Sequence, residues 1–233
     1  MSDTVCMNAT VDHLQVTDTG KITVQYTDGN NNEVKTILAD HVVSTLAPSD
    51  LASVLGTTSR LTPLLSQIQN SSMGVVHIAY DEDNLLTHKG FGYLVPSVEK
   101  EKILGVVFDS IAFPSQNHTP KETRISVMMG GAHQKWIEKA SQEEMFDIAQ
   151  DAITKHLGIT RVPTVVQSRL LKNAIPQYKV GHTKLVENIR KLGNEEFCHQ
   201  FHLLGHGFDG AGISHCVAAA KKTALEMTTQ IEK

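Results

Sequence analysis

The stretch LLGHGFDGAGISHC, from Leu203 to Cys216, carries four glycines within eight residues. A short apolar run precedes it, and a helix-like tail follows it. A glycine-rich turn that opens a helix exposes backbone N–H groups at the positive end of the helix dipole, where an anion or an electron-rich ring binds favourably. Two interpretations stay open on this pattern. Gly210 and Gly212 let the backbone approach a ligand, or they serve a flexible turn and close packing of a strand on a helix.

The neighbouring segment CHQFHLLGH offers the metal-binding residue types Cys198, His199, His202 and His206. If the segment is a strand, His202 and His206 share a face but lie about 13 Å apart at ~3.3 Å per residue, too far to share an ion. The three cysteines of the chain are far apart and form no C-x-x-C pair, which is typical of free thiols. We therefore predict no metal site.

Soft apolar side chains stand on two strand-like runs: Phe91 and Leu94 in GFGYLVPS, and Met128 in VMMGGA. They belong either to the core or to the wall of a site for a flat apolar ligand, since such sites are mostly apolar. The sequence shows no Ser–His–Asp order and no carboxylate pair that indicates a catalytic side chain. An enzyme built from these parts needs a cofactor to carry its chemistry.

The composition is that of an ordinary globular protein, with 233 residues, 40% of them hydrophobic, and a net charge of −4. The absence of a basic block argues against a nucleic-acid-binding surface. No apolar run approaches the ~18 residues that a membrane-spanning helix needs. The first residues resemble neither a signal peptide nor an Arg-rich presequence.

The elements that position these residues are mixed α and β. Alternation predicts a hairpin over Lys21–Ala39, and four consecutive strand-like runs between residues 74 and 132 predict an antiparallel sheet. Ser141 and Glu144 form a capping box for a helix that Gly158 ends. A strand, a helix, the strand FHLLG and a final helix beginning at Ile213 follow.

Five motifs occur in order: GFGYLVPS, ILGVVFDSIAFP, RISVMMGGA, KNAIPQYKVGH and LLGHGFDGAGISHC. Together they resemble the C-terminal half of the oxygen-dependent protoporphyrinogen oxidase family in its animal mitochondrial form, within the flavin amine oxidase superfamily. The resemblance implies a mixed α+β and α/β chain. Its fold is the FAD-binding flavin amine oxidase-like fold without the N-terminal βαβ unit, and it includes an antiparallel-sheet substrate domain. Residues 1–72 then form the later part of the FAD domain, residues 73–172 the substrate domain, and residues 173–233 the strand and helix that complete the FAD domain.

The resemblance also implies site residues, position by position. For FAD these are Val5 in the opening strand, at the adenine end, Thr183 where relatives can carry an aromatic residue beside the cofactor, and Ala211, Gly212 and Ile213 in the flavin-facing turn. For the substrate they are Phe91, Leu94 and Met128, as apolar walls of the porphyrinogen pocket. No catalytic side chain and no metal ligand is implied.

The activity implied by the resemblance is oxidation of protoporphyrinogen IX to protoporphyrin IX in heme biosynthesis. FAD takes hydride equivalents in three rounds, and oxygen reoxidises the flavin. The implied location is the mitochondrial inner membrane, with peripheral association through the N-terminal half, and the implied assembly is a homodimer. Two alternatives stay open: another flavin amine oxidase-type oxidoreductase, although the aromatic pair usual in amine oxidases is not found near Gly205–Ile213, and a non-catalytic fragment acting as an interaction module. Without a βαβ unit, we expect this chain alone not to hold FAD.

Overall fold

The computed structural model describes residues 5–119 and 121–231. The chain forms two compact units. Unit 1 combines residues 1–69 with residues 176–233, and unit 2 is the uninterrupted segment 70–175. The sequence predicts domain boundaries after residues 72 and 172, whereas unit 2 begins after residue 69 and ends at residue 175.

Unit 1 begins with an antiparallel meander of β1 (Ala9–Val16), β2 (Ile22–Asp28) and β3 (Glu33–Ala39). The predicted hairpin is confirmed as β2 and β3. The placement of Val5 in the opening strand is wrong, because β1 begins at Ala9. Ala9 pairs with Asp28, where β2 ends, so β2 offers no strand partner to the residues before Ala9.

The second sheet of unit 1 is a parallel pair, β4 (Val42–Ser44) and β10 (Phe201–Leu203). The carboxyl ends of parallel strands meet at one edge of a sheet, which is where α/β folds place ligands. Residues 45–47 leave β4 at this edge, and the glycine-rich segment leaves β10 there. His206 lies beyond β10, so the alternation of a strand does not relate it to His202.

The helices among the described residues of unit 1 are α1 (Pro48–Leu55), α2 (Thr62–Leu65), α5 (His182–Glu196) and α6 (Ile213–Ile231). The strands and helices of the unit enclose one apolar core. Its buried members include Leu14, Ile22, Leu51, Leu55, Leu61, Leu65, Val186, Ile189, Phe197, Phe201 and Phe208. Most of α6, in contrast, is exposed, including Val217 and Leu225.

Unit 2 is built on a five-stranded sheet in the order β6-β7-β8-β5-β9. The strands are β5 (Asn70–Tyr80), β6 (Gly92–Leu94), β7 (Ile103–Val107), β8 (Thr123–Gly130) and β9 (Val165–Pro176). The pairs β6–β7, β7–β8 and β8–β5 are antiparallel. The antiparallel sheet predicted from the four strand-like runs is therefore confirmed.

Helix α4 (Gln142–Leu157) packs on one face of this sheet. Ser141 Oγ accepts a hydrogen bond from the Glu144 amide at 3.0 Å, and Gly158 ends the helix in the left-handed conformation, as the capping pattern predicts. Met145, Ile153 and the sheet residues Ile125 and Val127 are fully buried between the helix and the sheet. The opposite face of the sheet carries the short helix α3 (Asp109–Ala112), whose Asp109 accepts a hydrogen bond from Ser126.

Among the helices that the structure describes, none is long and apolar enough to cross a membrane.

Candidate functional site

The first candidate site is the glycine turn, residues 204–212, which joins β10 to α6. Leu204 and Phe208 are buried and anchor the turn in the core of unit 1. Gly210 has a φ of +120°, and a Cβ atom there would lie 2.8 Å from the His215 ring. Only glycine fits both the backbone conformation and the space at this position.

Tyr178 fixes the shape of this turn. Its hydroxyl accepts a hydrogen bond from the Gly210 amide at 3.0 Å and donates one to the His206 carbonyl. Its ring stacks on His182 with 4.0 Å between the ring centroids and 11° between the planes. Burial raises the pKa of Tyr178, so its hydroxyl keeps the proton that it donates.

Helix α5 holds the turn from a second point. The Arg190 guanidinium donates to the Asp209 carboxylate at 2.5 Å and to the Leu203 carbonyl at 3.5 Å. Burial also lowers the pKa of His182, which favours the neutral imidazole in the stack with Tyr178. The glycine turn is thus held at both ends before any ligand arrives.

The turn presents Ala211, Gly212 and Ile213, all of them exposed. None of their amides donates to another of the described residues, since they precede the first closed turn of α6. Free amides at a helix N-terminus suit an anionic or electron-rich group, so this segment fits the flavin that the resemblance implies.

The structure places the other two residues predicted for the cofactor differently. Thr183 lies exposed in the first turn of α5, directly after His182, and is thereby tied to the glycine turn through the Tyr178 stack. Val5 precedes β1 with 55% of its surface exposed. None of the described hydrogen bonds or ring contacts joins Val5 to the turn.

The second candidate site is the open face of the sheet in unit 2, which we define as the face opposite α4. Antiparallel partners point to the same face of a sheet. The register pairs Leu94 with Gly105, Gly105 with Met128, and Met128 with Val75, which forms one apolar row across four strands. Leu94 is 85% exposed, and Met128 and Val75 are half-buried. The structure therefore brings two of the three residues predicted for the substrate into one row.

Phe91 lies just before β6 and is 65% exposed. Gly92 opens the strand with a φ of +148°, so the alternation of β6 does not determine the direction of Phe91. The Phe91 ring packs edge-on against Phe113 at 6.1 Å, and the Phe113 carbonyl accepts a hydrogen bond from Arg124 on the open face. Phe91 and Leu94 are exposed, which is incompatible with the alternative that they are core residues.

A second row beside the apolar one is partly polar: the register pairs Gly92 with Val107, Val107 with Ser126, and Ser126 with His77. Ser126 Oγ lies 2.6 Å from His77 Nδ1 and donates to Asp109 Oδ2 at 2.6 Å. Sequence reasoning missed these three residues, because they are far apart along the chain and no local motif contains all three. The signal available was a histidine and a serine at single positions inside apolar strands.

Among the residues that the structure describes, no group of three or more His, Cys, Asp or Glu side chains could hold a metal ion. His202 instead stacks on His41, with 3.3 Å between His41 Nδ1 and His202 Nε2. Burial, and then the neighbouring His41, lower the pKa of His202.

The sequence of the chain is similar to a known family and to several characterised proteins. Residues 2–226 match the family model described as flavin containing amine oxidoreductase. Human protoporphyrinogen oxidase is 34% identical over 194 residues, which cover 81% of this chain and 40% of the human protein. Protoporphyrinogen oxidase from Dictyostelium discoideum is 29% identical over 226 residues, which cover 86% of this chain and 42% of that protein. The chain thus spans about two fifths of the length of these relatives.

Solved structures support the same fold. A candidate protoporphyrinogen oxidase from Exiguobacterium sp. 255-15 superposes with a TM-score of 0.81 at 21% identity, over 95% of this chain and 47% of that one. Cyclohexylamine oxidase from Brevibacterium oxydans superposes with a TM-score of 0.69 at 14% identity, over 96% of this chain and 48% of that one. The expectation of a flavin amine oxidase-like fold is confirmed.

Proposed function

This chain belongs to the flavin containing amine oxidoreductase family, and on that premise we propose that it supplies the flavin-facing turn and the substrate-binding sheet of an oxygen-dependent protoporphyrinogen oxidase. The observation that carries the proposal is the apolar row in which Leu94 is exposed and Met128 and Val75 are half-buried. Three apolar side chains aligned across the sheet, with Gly105 between Leu94 and Met128, form an apolar surface that suits a flat apolar ligand such as a tetrapyrrole. The similarity to protoporphyrinogen oxidases supports the same ligand.

The cofactor of the family is a flavin, here FAD. Ala211, Gly212 and Ile213 would hold it through their free amides, and Tyr178 and Arg190 keep the turn in place. Bound flavin would supply the two-electron redox chemistry, and the chain contributes orientation and an apolar surface. Thr183 beside the ring system and Val5 at the adenine end complete the proposed contacts.

The proposed substrate wall consists of Phe91, Leu94 and Met128. We expect the chain to bind protoporphyrin IX, the stable and fluorescent product, with one saturable site. Met128→Glu should weaken this binding about tenfold or more, because it places a charge in the apolar row. Val98→Glu is the control, since Val98 is an exposed apolar residue in the turn after β6, outside the row. Equal binding by both variants would contradict the proposed surface.

Oxidase activity is tested by joining this chain to the part of the human relative that the match leaves uncovered. The proposal predicts oxygen-dependent formation of protoporphyrin and hydrogen peroxide from protoporphyrinogen IX. Cyclohexylamine and putrescine, the substrates named for two fold neighbours, should give no peroxide. The reverse pattern would make the chain part of an amine oxidase.

For the complete protein we propose a role in heme biosynthesis at the mitochondrial inner membrane, with peripheral membrane association and a homodimeric assembly. These assignments follow from the family resemblance described in the sequence analysis. Fractionation of mitochondria and sedimentation of the purified protein test them. A matrix-soluble monomer would contradict both.

A further inference from the structure

Three polar side chains from three different elements are linked on the open face. Asp109 opens α3, Ser126 stands in the middle of β8, and His77 is its register partner on β5. Both links, His77 Nδ1 to Ser126 Oγ and Ser126 Oγ to Asp109 Oδ2, measure 2.6 Å. Ser126 is only 4% exposed, so its hydroxyl depends on these two partners.

The chemistry of the three groups sets the direction of the protons. An ionised carboxylate only accepts hydrogen bonds, and a hydroxyl has one proton to donate. Because Ser126 donates its proton to Asp109, its oxygen can only accept from His77. His77 Nδ1 must therefore carry a proton, and in the neutral ring Nε2 then holds the free lone pair.

The lone pair of His77 Nε2 lies on the open face, close to the apolar row. His77 lies two residues along β5 from Val75, a member of the apolar row, and so about 7 Å from it on the same face. The imidazole is exposed, and its Nε2 accepts no hydrogen bond from the described residues. The open face thus presents one hydrogen-bond acceptor with a defined orientation beside an apolar surface.

We propose that His77 Nε2 accepts a hydrogen bond from a pyrrole N–H of a reduced tetrapyrrole bound on the apolar row, and that Ser126 and Asp109 are positioning residues that fix the imidazole. The inference rests on the proposed function, because it takes the tetrapyrrole as the ligand. Protoporphyrinogen IX combines apolar methyl and vinyl substituents with pyrrole N–H donors, so an acceptor beside an apolar row matches both of these properties. This hydrogen bond would favour a reduced tetrapyrrole over a ligand without an N–H at this point, because such a ligand leaves the His77 Nε2 acceptor unpaired.

The first test measures the tautomer of His77 in the unliganded chain by nitrogen-15 NMR of the imidazole, at about pH 8.5, roughly two units above the ordinary histidine pKa. We expect the proton on Nδ1. In Ser126→Ala the Nε2-protonated form should become populated, and Ser126→Thr, which keeps the hydroxyl, should restore the original tautomer. A proton on Nε2 in the unaltered chain would overturn the inference without any ligand.

The second test measures anaerobic binding of protoporphyrinogen IX by equilibrium dialysis. His77→Phe should weaken binding about tenfold, the loss expected for one hydrogen bond in an apolar setting. His133→Phe, a change at an exposed histidine in the loop after β8, should leave binding unchanged. Circular dichroism of both variants checks that a loss of binding is not a loss of the fold.

The dimethyl ester of protoporphyrinogen IX separates the pyrrole N–H groups from the propionates. It should lose the same factor on His77→Phe, because it retains every N–H and lacks the carboxylates. A loss seen only with the free acid would mean that His77 binds a propionate and would overturn the inference. Equal binding of the free acid by both histidine variants would overturn the inference and leave the proposed function standing, whereas no binding by the unaltered chain would overturn both.

Discussion

Tyr178 makes a residue-scale prediction, because one hydroxyl holds both sides of the glycine turn. Tyr178→Phe keeps the ring on His182 but leaves the Gly210 amide and the His206 carbonyl without this partner. We expect a stability loss of about 1 kcal/mol and faster hydrogen exchange at the Gly210 amide, measured by urea unfolding and NMR. Tyr26→Phe is the control, since the Tyr26 hydroxyl makes no hydrogen bond among the described residues. Unchanged exchange at Gly210 would show that the turn holds itself.

Leu94 and Ile125 stand on the same sheet with opposite exposure, which separates a surface role from a core role. Leu94→Ala should change the free energy of unfolding by less than about 0.5 kcal/mol, because the side chain is already 85% exposed. Ile125→Ala should cost about 2–5 kcal/mol, because Ile125 is fully buried. Thermal melts of the two variants check the difference. A large loss of stability for Leu94→Ala would contradict the surface role of this residue.

Two histidines of unit 1 make the stability of the chain depend on pH. The pKa values of His182 and His202 lie below the ordinary 6.5, chiefly because burial disfavours the charged ring. The unfolded chain therefore binds more protons than the folded chain between the lowered values and 6.5, so stability falls as the pH drops below about 6.5. His202→Gln should flatten part of this slope in urea titrations at several pH values. A slope that the variant leaves unaltered would assign the effect to other groups.

At the scale of elements, strand β6 depends on a single glycine. A Cβ atom at Gly92 would lie 2.0 Å from the Val106 carbonyl oxygen, and the φ of +148° is unfavourable for any L side chain. We expect Gly92→Ala to detach β6 from β7 and to lower protoporphyrin binding together with stability. Gly90→Ala is a close control, because nothing lies within 4 Å of its added Cβ. Backbone NMR shifts of residues 92–94 report the detachment directly.

The elements that the sequence predicts well are those specified by neighbouring residues. Helix α4 needs only its cap at Ser141, its apolar stripe and Gly158, and the β2–β3 hairpin needs only alternation around a turn. The His77–Ser126–Asp109 linkage depends instead on the register of β5 with β8 and on the direction in which α3 leaves β7. Val5 was misplaced for a related reason, since the start of β1 is set by where its partner β2 ends.

For the whole molecule, cofactor retention is the prediction that separates this chain from its longer relatives. On our proposal the glycine turn would supply amides for one part of a flavin, and the chain spans only 40% of the human relative. A βαβ unit normally supplies the pyrophosphate contacts of a dinucleotide. We expect dialysis to remove added FAD from this chain, which a visible absorption spectrum records. A stoichiometric flavin band after dialysis would contradict this.

The pairing of β4 with β10 also sets the order in which the protein can form during translation. Val42 and Phe201 are register partners although the whole of unit 2 is translated between them. At about 5–20 residues per second the ribosome needs roughly ten to thirty seconds to bring β10 to a waiting β4. Unit 2 is continuous and can fold within that interval. Leu51, Leu55 and the other core residues of the first segment stay unpacked until the later residues of the same core have been translated. The first segment therefore exposes its half of the core of unit 1 until β10 has been made, and a holding chaperone would act there.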